Sequence, residues 1–156
     1  MNKYILFVLL LIMSGCTNDS LFEENHEISG REWQVDEIPT FRFEINDAAS
    51  PYNFYWNLRN TIDYPYRNLY LTYYLEDTLG NVIDSNMHEV QLFEATTGKP
   101  LGRGITSIYS HQFLALPRYT FDSAGMYRVR LEQYMRKENL PEIVSVGVKI
   151  EKAEGS

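Results

Sequence analysis

Apolar and polar residues alternate with a period of two along most of this chain. Phe41, Phe43 and Ile45 alternate with Arg42, Glu44 and Asn46, the pattern of a strand with one buried face. Phe54, Trp56 and Leu58 alternate in the same way with Tyr55, Asn57 and Arg59. Leu69, Leu71, Tyr73 and Leu75 share one face of the stretch 68–76, and residues 78–81 have the composition of a hairpin turn. A strand is expected over 88–94 through Val90 and Leu92. A single helical turn is expected within 105–111. The stretch 113–121 reads as extended, but Pro117 lacks a ladder donor and demands an edge or a bulge. Tyr127, Val129 and Leu131 mark another strand, and Val144, Val146, Val148 and Ile150 mark the last.

No segment sustains a 3.6-residue period. Roughly seven to eight short strands with regular turns predict an all-β fold, an antiparallel β-sandwich of Ig-like or jelly-roll-like kind. Asp122, Gly125 and Tyr127 are similar in spacing to the tyrosine corner of Ig-like sandwiches, where a phenol bonds back to the main chain at a turn. Gly125 and Tyr127 therefore take structural roles.

The N-terminus follows a different rule. After Asn2 and Lys3, residues 4–13 form an unbroken apolar run, too short to span a bilayer and of the length of a signal-peptide core. Ser14, Gly15 and Cys16 follow, and this junction resembles the lipobox of bacterial lipoproteins. The resemblance implies cleavage before Cys16 and a diacylglyceryl group on its thiol. The layout expected is a signal peptide at 1–15, a lipidated tether at 16–30, one domain at 31–152 and a loose tail at 153–156.

Cys16 is the only cysteine, so disulfide scaffolds and cysteine-based zinc sites are excluded. The formal charge is −7, and loss of Lys3 with the signal makes the chain more acidic still. That argues against nucleic acid as a partner and against polybasic docking on lipid. Attachment to the membrane rests on the acylated Cys16.

Catalytic chemistry finds no footing. His26, His88 and His111 lack metal-ligand spacing, so no metal and no cofactor is expected. Ser110 and His111 are strand neighbours and point to opposite faces. There is no Gly-x-Ser-x-Gly elbow, and Lys99 is followed by Pro100 rather than by the Ser or Thr of a phosphate loop. The chain reads as a non-enzyme. The stretch 57–68 is richest in recognition chemistry: Asn57, Tyr64, Tyr66 and Arg67 are candidate partner-binding residues. Arg59 is expected to be structural, paired with an acid such as Asp63 or Glu132. An alternative reading is a glycan- or peptidoglycan-binding module stacking sugars on Tyr64 and Tyr66.

Asn57, Leu58, Arg59 and Asn60, followed by Asp63, Tyr64, Pro65, Tyr66, Asn68, Leu69, Tyr70 and Leu71, resemble the central motif of the gliding-motility lipoprotein GldH family. So do Thr97, Gly98, Leu101, Gly102 and Gly104; Gly125, Met126 and Tyr127; Glu132, Gln133, Met135 and Arg136; and residues 146–152. Trp33, Phe41 and Phe43 fit the family's opening. Tyr134 departs from it, standing where a small residue is expected. The resemblance implies a Bacteroidetes outer-membrane lipoprotein on the periplasmic face, serving gliding motility and type IX secretion beside other lipoproteins. Only the lipidated cysteine carries over, onto Cys16.

Overall fold

The computed structural model describes residues 20–153, which form eleven strands and one 3-10 turn, Ser29–Arg31. The strands are β1 (Ser20–Glu27), β2 (Glu32–Gln34), β3 (Thr40–Ile45), β4 (Tyr52–Thr61), β5 (Asn68–Glu76) and β6 (Val82–Gln91). They continue as β7 (Arg103–Ile105), β8 (Ile108–Tyr119), β9 (Gly125–Gln133), β10 (Asn139–Pro141) and β11 (Ile143–Lys152). Eight are long; β2, β7 and β10 have three residues each.

The long strands make an antiparallel sandwich. One sheet runs β1-β11-β4-β8-β7, the other β3-β9-β5-β6, and β10 pairs with β2 separately. The alternation explains the packing. In β4, Phe54, Trp56 and Leu58 are buried; in β5, Leu69, Leu71, Tyr73 and Leu75 are buried. Aromatic contacts lock the sheets together, Phe43 against Phe54 at 5.7 Å and Trp56 against Tyr73 at 5.4 Å. Each such side chain, fully buried, contributes about 1.5–3 kcal/mol. Trp33 of β2 and Leu140 of β10 add to the same core. Tyr127 donates its hydroxyl to the Ser123 carbonyl at 2.7 Å. Gly125 holds φ 152°, a conformation that side chains disfavour, with Thr78 beside it.

Four expectations need correction. Residues 20–30, expected as tether, are β1 and the 3-10 turn, and β1 pairs with β11 from Ser20 to Glu27. The ladder uses main-chain groups, so the polar side chains of β1 do not oppose it. Phe22 alone turns inward, 5.9 Å from Phe43. The signal peptide at 1–15, Cys16, the tether as far as Asp19 and the tail at 154–156 lie outside the described residues. Ala153 does not begin a loose tail, since its N–H donates to the Pro51 carbonyl at 2.9 Å.

No helical turn occupies 105–111; β7 and β8 meet there in a tight hairpin, with Thr106 at φ 76°. The strand expected at 88–94 is β6, which starts at Val82 and ends at Gln91. Its early half is exposed on both faces, so it carries no alternation to read. Pro117 meets its expectation: β8 shifts register opposite Tyr52, Phe54 and Tyr55, and its other side pairs with β7 only over 108–110.

The two ends of the sandwich differ. One gathers the start of β1, the loop 46–51, the turns 77–81 and 120–124, and the end of β11. Lys152 Nζ meets Asp47 Oδ2 there at 2.7 Å, and Tyr52 donates to the Asp47 carbonyl at 2.8 Å. The other end carries the loops 62–67, 92–102 and 134–138.

Candidate functional site

The four candidate recognition residues do not form one site. Tyr64 is a core residue, in place of the partner-facing position expected for it. Its hydroxyl donates to the Asn68 carbonyl at 2.9 Å, and Phe93 stacks on its ring at 6.5 Å. Burial pushes its phenol well above the usual tyrosine range. This removes one of the two stacking faces on which a glycan reading relied.

Tyr66 is half-buried and lies on a cleft of about 540 Å³, lined also by Tyr70, Met87, Tyr134, Met135 and Arg136. The cleft sits on the outer face of the four-stranded sheet. Its far wall is the segment after β9, folded over β5: Tyr134 N–H donates to the Tyr70 carbonyl at 2.7 Å, and Gln133 Nε2 donates to the Lys137 carbonyl at 2.8 Å. Tyr70 N–H points at Met135 Sδ at 3.4 Å. Tyr134 and Met87 are exposed large side chains, and Arg136 is exposed at the rim. An aromatic and thioether floor with a cationic rim suits an apolar side chain flanked by an acid. Arg67 is exposed outside this lining; its carbonyl accepts the N–H groups of Leu92 and Phe93 at 2.8 and 3.0 Å.

Asn57 lies on the opposite side of the molecule. It belongs to a row on the outer face of the five-stranded sheet, formed by Asn25, Gly147, Asn57 and Gln112 on successive strands. Asn57 Nδ2 donates to Glu23 Oε1 and Gln112 Nε2 donates to Asn57 Oδ1, both at 2.9 Å. Arg59 is on the same face and meets Glu27 at 3.5 Å, not Asp63 or Glu132. Residue 59 points outward from β4, and the Glu27 of the unforeseen β1 is the acid within reach.

Tyr70, Met87 and Tyr134 escaped sequence reading because three separate segments supply them. The available signal was local: Tyr70 and Met87 are large side chains at outward strand positions, and Tyr134 directly follows β9.

On the outer face of the four-stranded sheet, Glu76 is buried and bonded to both Arg128 Nε and Arg130 Nε, the latter at 2.7 Å. Burial works against its charge, but the two guanidiniums prevail and hold the carboxyl below its usual range.

Two histidines face the space between the sheets, His111 buried and His88 half-buried. His111 hydrogen-bonds Asn60 Oδ1 at 2.9 Å and stacks on Phe113, and burial holds its imidazole down to about 4. His88 Nδ1 accepts the Trp56 indole N–H at 3.0 Å, which requires the unprotonated nitrogen, and burial lowers it too. Among the described residues no group of three His, Cys, Asp or Glu side chains is placed to hold a metal.

The histidines fix a pH response. A folded imidazole depressed below its unfolded value contributes full stability above about pH 6.5 and loses it as pH falls towards the folded value. Stability to urea is expected to be level from pH 8 to 6.5 and to decline from there towards pH 4, with His111 accounting for no more than about 3 kcal/mol. His111→Gln should flatten most of that slope. An unchanged slope in the variant would remove His111 as its source.

The sequence model of the GldH lipoprotein family matches residues 20–150. The chain is 28% identical over 162 residues to a gliding motility lipoprotein GldH homolog of Christiangramia forsetii, covering 98% of this chain and 96% of that protein. It is 27% identical over 158 residues to the gliding motility lipoprotein GldH of Flavobacterium johnsoniae, covering 96% of each.

Proposed function

The chain belongs to the GldH lipoprotein family, and from that premise we propose that it supports assembly or stability of the gliding-motility and type IX secretion apparatus, as a non-catalytic component on the periplasmic face of the outer membrane. As a lipoprotein it is anchored in the envelope by lipid, and in this reading Cys16 carries the acyl chains. The observation that carries the proposal is the family match, which runs from the first residue of β1 almost to the end of β11. The Tyr66–Tyr134 cleft is the partner-facing surface in this reading, because it joins exposed aromatic and methionine side chains to a cation.

The test is a crosslinked pull-down from native membranes with a C-terminally tagged, lipidated chain. Other motility or secretion lipoproteins are expected to be recovered. Tyr134→Ala and Met87→Ala should reduce that recovery about tenfold or more, as loss of a central contact does, while leaving the unfolding midpoint nearly unchanged. A Cys16→Ala chain, exported behind an ordinary secretory signal, should stay folded but fail to restore motility or secretion to a deletion strain. Full complementation by the unanchored chain would end the anchored-component reading.

A further inference from the structure

Only Thr17, Asn18 and Asp19 separate Cys16 from Ser20, the first residue of β1. The four Cα steps span at most about 14 Å fully extended. Strands β4 and β11 have ten residues each, so the sandwich is about 33 Å long. The end at which β1 begins is therefore held close to any bilayer that receives the Cys16 lipid. This argument rests on the Cys16 anchor proposed above.

Two attitudes satisfy so short a link: the domain stands on that end, or it lies along its β1 edge. The side chains distinguish them. β1 exposes Glu23, Glu24 and Glu27 and carries no Lys or Arg. Laid on a membrane, that edge would press three carboxylates into the headgroup layer, against anionic lipid and at a desolvation cost.

The end itself is better suited. Leu79, at the tip of the turn 77–81, is 85% exposed, and Leu21 and Val82 are also exposed there. The acids nearby are largely engaged: Asp77 accepts from the N–H groups of Leu79 and Asn81, and Asp47 is paired with Lys152. Asp122 remains as an exposed acid at this end.

We propose that the domain stands upright on the lipid bilayer, on the end formed by 46–51, 77–81 and 120–124, with Leu79 at the lipid surface. The opposite end, with Ile105 (91% exposed) and the side of the domain that carries the Tyr66–Tyr134 cleft, then projects into the aqueous space. The bilayer is one partner of the domain, and the cleft is left open for a protein partner.

Because the lipid occupies the only native thiol, an introduced cysteine takes a label uniquely. Leu79→Cys, Asp122→Cys, Thr97→Cys and Ile105→Cys would each be labelled with bimane on the full lipidated chain. The chains would be reconstituted into phosphatidylethanolamine–phosphatidylglycerol vesicles containing nitroxide-headgroup lipid. Quenching at 79 and 122 is expected to exceed that at 97 and 105 several-fold. An insert of about 30 Gly and Ser residues after Asp19, with a reach of roughly 30 Å, should erase the difference.

Equal quenching at all four positions, on chains that float with the vesicles, would overturn the upright attitude. A difference that survives the insert would overturn the role of the short link. Chains that fail to float would overturn the anchor, and the attitude with it, so the two failures are read separately.

Discussion

A Gly147→Val variant is expected to release β1 from the sheet. Gly147 stands in β11 between Asn25 of β1 and Asn57 of β4. A Cβ there would sit 2.5 Å from the Glu24 carbonyl oxygen and closer still to Asn25 Oδ1. Asn25 can rotate away, but the carbonyl belongs to the ladder and moves only if β1 moves. Overpacking of this kind costs about 1–3 kcal/mol. β1 is the element that gives way, because it is an edge strand held mainly by main-chain bonds and by Phe22. Urea unfolding should shift by about 2–3 kcal/mol. Endoproteinase Glu-C should cut at Glu23, Glu24 or Glu27 in the variant well before it cuts the wild type. Protection of those sites in the variant would show that β11 accommodates the side chain. The functional effect reaches further than the stability loss: freeing Ser20–Glu27 adds eight residues to the link, which would lose control of the domain's attitude at the membrane.

Glu76→Ala is expected to destabilise the domain by about 2–3 kcal/mol at pH 7. The cost is set below the roughly 3–5 kcal/mol of a fully buried pair because the Arg128 and Arg130 side chains are about a third exposed and regain water. Part of it is repulsion, since Arg42 lies directly across the ladder from Arg128, and Glu76 is the acid bonded to both Arg128 and Arg130. The sign of the pH dependence follows from the depressed carboxyl. Its contribution is present above the ordinary glutamate range and fades as pH falls through the folded value. Wild-type and Glu76→Ala stabilities should therefore approach one another in acid. A gap between their urea midpoints as large at pH 3 as at pH 7 would mean that packing, not charge, is what Glu76 supplies.

Strands with one dry face announce themselves, and others do not. Phe41 to Ile45, Phe54 to Leu58 and Leu69 to Leu75 were legible because each apolar position faces the opposite sheet. β1 was not, because its pairing is a main-chain matter and its side chains are nearly all in water. The first half of β6 fails for the same reason. Tyr64 misled because a tyrosine between Asp63 and Pro65 has loop composition; the covering ring is Phe93, far along the chain. Arg59 was placed with the wrong acid because its partner lies on the strand that sequence reading missed. The lipobox-like junction before Cys16 is the reverse case, a local pattern read without reference to any fold.

The order of strands also sets when the domain can form. β11, which lies between β1 and β4, is made from the last strand of the chain, Ile143–Lys152. A polypeptide appears N-terminus first, so β1 and β4 are both made well before the strand that lies between them. Strands β4, β8 and β7 can pair with one another beforehand, but β1 has no partner in the sheet until β11 arrives. The strand next to the proposed anchor is therefore the last to be locked in place, and the strand that locks it is the one made last.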